Sequence, residues 1–225
     1  MRFSKPKQFW AWFQRNKESY EQLRTASSAE TIYHMREMTM HLNAYGRYIN
    51  AEIYWQSDKG REATVLVFTT YARPRDFRKV GRLVACAPQI PGWRFLELDP
   101  PRPIDFFLEE DYGHLNFDPF NLWFLPPDPV TALDKYNLDL YIDNYADLTP
   151  DHENAARAVV YNLLGEKVYG LKLRRIDLAR VCDLPKEYRG DLVNLQQIPE
   201  YVQLQDTADY YIDQTGNLKK YRPNT

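Results

Sequence analysis

Apolar side chains recur at helical spacing through the first part of the chain and then switch to alternation, and this change of period sets the expected order of elements. Over residues 6–24, Phe9, Trp12, Phe13, Tyr20 and Leu23 share one face of a helix that Pro6 can open, since proline is tolerated in a first turn. Ser27 or Ser28 then caps a second helix, in which Ile32, Met35, Met38 or Thr39 and Leu42 fall on one face, and Gly46 ends it. From Ile49 the period becomes two. Ile49, Ala51, Ile53 and Trp55 alternate, SDKGRE supplies a turn, and ATVLVFTTYA continues in β-branched and aromatic residues, which predicts two antiparallel strands with one face covered. Pro74 opens a third helix, PRDFRKVGRLVACA, with Phe77, Val80, Val84 and Ala87 inward, and after PQIPGW a strand carries Trp93, Phe95 and Leu98.

The second half repeats this order without evident sequence identity. PFNLWFL and YNLDLYIDNY read as strands, and TPDHENAARAVVYNLLG reads as a helix with Thr149 as N-cap, Pro150 in its first turn and Gly165 at its C-cap. KVYGLKLRRIDLA reads as a further strand. The expected fold is α+β: two modules of antiparallel sheet with covering helices, each in strand-strand-helix-strand order, preceded by an N-terminal helical hairpin. DPPRP at 99–103 marks the boundary, so the hairpin and first module occupy 1–100 and the second module 101–205. LPPDP at 125–129 is then a loop within the second module, and 206–225 is a polar C-terminal tail.

Composition narrows the classes. An apolar fraction of 44% with 27% charged residues is that of a globular chain, and seventeen Tyr, eleven Phe and five Trp supply rings enough for a bulky core or a binding face. A net charge of −2, with no basic cluster denser than Lys172-Leu173-Arg174-Arg175, argues against nucleic acid as a partner. No stretch approaches the ~20 apolar residues of a membrane-spanning helix. MRFSKPKQFWAWFQRNKESY turns polar before a secretory core can form, so a cytoplasmic location is expected, with no membrane partner. Cys86 in LVACAP and Cys182 in ARVCDLP have no metal or redox spacing, and their apolar neighbours predict inert core thiols.

Signatures of common chemistries are missing. There is no Walker-type loop, dinucleotide turn, nucleophile elbow or HExxH helix, and nine glycines leave little material for a backbone phosphate cradle. No cofactor is expected. The stretch Glu109-Glu110-Asp111-Tyr112-Gly113-His114 is the strongest remaining candidate: Asp111 and His114 flank a glycine, with Asp118 nearby, and could converge on a divalent cation or serve acid–base chemistry. Its composition equally suits a solvated turn leaving the IDFFL strand. A second acidic set comprises Asp139, Asp143, Asp147, Asp151, His152 and Glu153; Asp139 and Asp143 point to one strand face, and Asp151 and Glu153 suit a helix N-terminus. His34 and His41 lie two turns apart on one helix, too far to share an ion unaided. Trp93, Phe106, Phe107, Phe117, Phe120, Trp123 and Phe124 crowd the module boundary. Of these, Trp93, Phe107, Phe117 and Trp123 are the candidate ligand- or partner-binding residues, with core packing as the competing explanation.

Three motifs, FWAWF near the start, CAPQIPGWRF after the hairpin and helix, and VVYNLLGEKVYG around residue 165, together resemble a family of mostly bacterial proteins catalogued only as a domain of unknown function. The resemblance covers most of residues 7 to 202 and implies no activity, cofactor or site. The expected function is therefore a non-enzymatic binding or protein-interaction module acting on a protein partner or as a homodimer. The alternative is a divalent-metal or carboxylate-dependent hydrolase built on the Glu109–His114 region.

Overall fold

A computed structural model describes residues 5–58, 61–104, 115, 117–126, 135–143, 145–202, 210–212, 216 and 218–220. The chain divides into two compact units, Met1–Asp99 and Pro100–Thr225. Both mix helix and sheet, as expected.

In the first unit, helices α1 (Lys5–Glu21) and α2 (Ser28–Tyr45) precede strands β1 (Asn50–Asp58) and β2 (Arg61–Thr69), helix α3 (Pro74–Val84) and strand β3 (Trp93–Glu97). Ser27 caps α2 in a reciprocal pair: its hydroxyl accepts from Glu30 N, and the Glu30 carboxylate accepts from Ser27 N. Those hydrogen bonds hold the Glu30 carboxyl below its ordinary range. The core is a ring cluster in which Phe9, Trp10, Phe13 and Tyr20 of α1 meet Phe68, Trp93 and Phe95, several edge to face. Trp10, absent from the predicted stripe, is 2% exposed and donates its indole N–H to Leu83 O at 2.7 Å. At about 100° per residue Trp10 and Trp12 flank opposite sides of the Phe9–Phe13–Tyr20 line, so periodicity alone does not decide which flank is enclosed. Trp12 is half-buried and stacks on His41 at 3.9 Å.

Sheet topology corrects one expectation. β1 and β2 pair antiparallel, with Ala51 opposite Phe68, but β2 and β3 run parallel, with Leu66 opposite Phe95, and the sheet order is β1-β2-β3. The reason lies in α3: a helix inserted between sheet neighbours carries the chain back to the starting end, so the next strand runs in the same direction. Central β2 is also covered on both faces rather than one, since Val65 and Val67 are buried along with Leu66 and Phe68.

The second unit follows the same path. β4 (Leu122–Phe124) pairs antiparallel with β5 (Tyr136–Ile142), helix α4 (Pro150–Lys172) crosses over, and β6 (Leu173–Arg180) lies parallel to β5. Here too the strand-strand-helix-strand order holds while the sheet is mixed, not antiparallel. A short strand β7 (Val193–Asn194) then pairs antiparallel on the outer edge of β4, giving the order β6-β5-β4-β7. Leu138, Leu140 and Ile142 of β5 pack against Ala155, Ala156, Val159, Val160 and Leu163 of α4.

Gly165 breaks α4 as its position suggested, with φ 68 and ψ 163 inside the helix. KVYG nevertheless continues as helix instead of beginning a strand, because Leu164 and Val168, four apart, both reach the core. The final segment is more than a polar tail: β8 (Tyr210–Ile212) pairs antiparallel with β9 (Leu218–Lys220), and Ile212 N donates to Pro101 O at 2.7 Å. No helix among the described residues is long and apolar enough to cross a membrane. Both cysteines are exposed, contrary to expectation, because each falls just past an element end where its apolar neighbours turn inward without it.

Candidate binding groove

The residues singled out by sequence do not form one cluster. Asp111, His114 and Phe107, with the rest of Glu109–His114 and Phe106, lie outside the described residues. Asp118 caps a short turn, its carboxylate accepting from Phe120 N and from Asn121 Nδ2 at 2.8 Å, and is occupied locally. Among the described residues no three His, Cys, Asp or Glu side chains gather as a metal set. Asp139 is exposed opposite Asp177 on the outer face of the second sheet, and Asp177 is engaged by Arg175. His152, at the third position of α4, is buried and accepts from Thr149 N at 3.2 Å, so it completes a capping box. His34 sits 3.6 Å from Glu37.

The aromatic candidates divide between the units. Trp93 is a core ring whose indole donates to Glu21 at 2.8 Å, and one edge of it borders a cavity of about 300 Å³ with Trp55, Arg24 and Gln56. Phe117 is buried against Tyr145 and His152. Trp123 is half-buried on the outer face of the second sheet, beside Tyr141, whose hydroxyl pKa is raised by burial and by Asp139.

A different surface collects the exposed apolar groups. On α2 the strip at Met38 and Leu42 is fully buried, while a second strip beside it carries Ile32 and Met40, 58% and 64% exposed. The sequence pattern assigned Ile32 to the core face; it lies exposed on the flank of that face. Ile32, Met35, Arg36, Thr39 and Met40 form one wall of a groove of about 470 Å³. Asn50 and Ala51 at the start of β1 form its floor, and Tyr71, 62% exposed, closes its end. Exposed Tyr33 adjoins Ile32 on α2.

Tyr71 is held there by an unusual backbone. The chain leaves β2 through Thr69 and Thr70, both fully buried, and then places Tyr71 and Ala72 consecutively at φ 51 and φ 59. Each non-glycine residue in this left-handed region costs about 1–2 kcal/mol. Thr69 Oγ1 accepts from Tyr71 N at 3.0 Å and Thr70 Oγ1 accepts from Arg73 N at 3.2 Å, which ties the turn at both ends. The Arg73 guanidinium lies 4.1 Å from the Tyr48 ring centre and braces the turn from outside. Leu98, just past β3, is also left-handed at φ 63, and its N–H donates to Phe68 O. Strain thus concentrates at the carboxyl ends of the parallel pair β2 and β3, where crossover folds place their ligand sites.

Sequence signals for this surface were present but divided. Ile32 and Met40 exceed what one helix face can bury, and Tyr71 stands where ATVLVFTTYA gives way to proline. No family model matches the chain, and neither a curated protein nor a solved structure matches it.

Proposed function

We propose that the chain is a non-enzymatic binding module for a protein partner and that its working surface is the groove between α2, the start of β1 and Tyr71. The observation that carries this reading is the pairing of exposed apolar side chains at Ile32, Met40 and Tyr71 with a costly backbone conformation that holds the tyrosine out of the core. Non-glycine residues are held in this region where the surrounding structure over-determines them, which is common at ligand clamps, and a binding surface gains a fixed wall from it. The test is a Met40→Asp, Tyr71→Ser double variant. Both positions are exposed, so the variant should still fold, as thermal melting checks, while partners cross-linked to the wild type in its native host are lost. An unchanged cross-linked set would reject the groove as the working surface. Size-exclusion chromatography of both proteins shows whether the partner is a second copy.

A further inference from the structure

The two units differ at one edge in a way that identifies what the groove receives. β1 and β4 hold the same place in the shared strand-strand-helix-strand path: each is the first strand, antiparallel to the central one and on the opposite side from the parallel strand. The outer edge of β4 is covered by β7, antiparallel, with Trp123 opposite Asn194 and Phe124 opposite Val193. Among the described residues no strand pairs with the outer edge of β1. An uncovered strand edge presents a row of backbone donors and acceptors ready to pair with another chain.

The groove opens beside that edge, at the amino end of β1, where Asn50 and Ala51 line it. A strand antiparallel to β1 would arrive there with its carboxyl end, and its side chains on the α2 face would enter between Ala51 and Met35. Arg36 stands exposed on the groove wall and makes no hydrogen bond or ion pair with any described residue. Its charge is complementary to a carboxylate and hostile to a lysine.

Resting on the groove reading above, we infer that the partner supplies an extended segment that adds antiparallel to β1 as a fourth strand, with an apolar residue in the groove followed by an acidic residue at Arg36. The test uses a phage-displayed library of random twelve-residue peptides selected against the full chain. Selected peptides should share an apolar residue followed within two positions by Asp or Glu; enrichment of basic sequences, or no enrichment, would overturn the inference. One selected peptide is then made in two forms, each N-methylated on alternate residues. In an added strand only alternate N–H groups face the protein, so one form should lose affinity at least tenfold and the other should bind like the parent. Equal loss in both forms would overturn the strand mode. Arg36→Glu should weaken binding at least tenfold, and an Asp-to-Lys change in the peptide should recover it. Binding that ignores Met40→Asp and Tyr71→Ser would reject the groove itself, while loss in those variants without the alternating N-methyl pattern would reject only strand addition.

Discussion

The two units run the same path through their sheets but finish it with different materials. The second extends its sheet with its own chain: β7 covers the outer edge of β4, and the 23-residue α4 supplies an aliphatic face to Leu138, Leu140 and Ile142. The first closes one face with an aromatic helical hairpin, leaves the edge of β1 without a strand partner among the described residues, and holds strained backbone at the ends of β2 and β3. The same connectivity therefore carries a fourth strand beyond β4 in one unit, while in the other no strand lies beyond β1 among the described residues. What distinguishes them is the flanking chain, not the strand order.

The largest expected effect tests the aromatic closure. Phe13 is fully buried and touches five rings, so Phe13→Ala should cost about 3–5 kcal/mol in denaturant unfolding. Leu140→Ala, at an equally buried aliphatic position in the second unit, should cost about 2–5 kcal/mol. A Phe13→Ala cost below 1 kcal/mol would break the contrast by showing that the hairpin is not a true cover.

Next is the helix kink at Gly165 of the second unit. Gly165 occupies a backbone region open essentially to glycine, so Gly165→Ala should cost about 1–3 kcal/mol by thermal melting. Ser27→Ala should remove about 0.5–2 kcal/mol by uncapping α2. The Glu30 half of that cap gives an acid-side signature. Its folded pKa lies below the ordinary value of 4.5, so its contribution is complete above that value and disappears as pH falls through the lower folded value; Glu30→Gln should flatten that part of the profile. Tyr20 gives the alkaline counterpart. Burial raises its hydroxyl pKa far above the ordinary 10.0, with Glu37 adding to the effect, so the unfolded chain ionises first. Stability contributed by Tyr20 is intact below pH 10 and falls as pH rises beyond it, and Tyr20→Phe should reduce that slope.

A smaller effect sharpens the edge comparison. Asn194 donates to Phe120 O at 3.0 Å and accepts from Gln196 N, so Asn194→Ala should cost about 0.5–1.5 kcal/mol and speed amide exchange in β4 and β7. Unchanged exchange at β4 would mean that β7 is not what protects this edge.

These contrasts were legible in the sequence to different depths. The change from helical spacing to alternation marked the hairpin of helices and both strand pairs, and Thr149, Pro150 and Gly165 located the ends of the first α4 segment. Strand direction was not legible from pairwise pattern, although a helix between sheet neighbours already dictates a parallel return. KVYGLKL fits either a strand or a helical turn, and only the core contact of Val168 decides it. The groove was not legible because its wall is the overflow of an amphipathic helix. Ile32 lies close enough in angle to Met35 and Met38 to pass for core, and no local signal shows that Tyr71 is left-handed.

The most direct measurement is the affinity of Tyr71→Gly for the peptides selected on the wild type. Glycine adopts the left-handed turn without strain, and this relief offsets glycine's own entropy cost and the loss of a ring that is 62% exposed, so the variant should remain folded. The account predicts at least tenfold weaker peptide binding by a protein that still melts cooperatively. Wild-type affinity in Tyr71→Gly would contradict it, because the strained tyrosine would then not be part of the surface that binds.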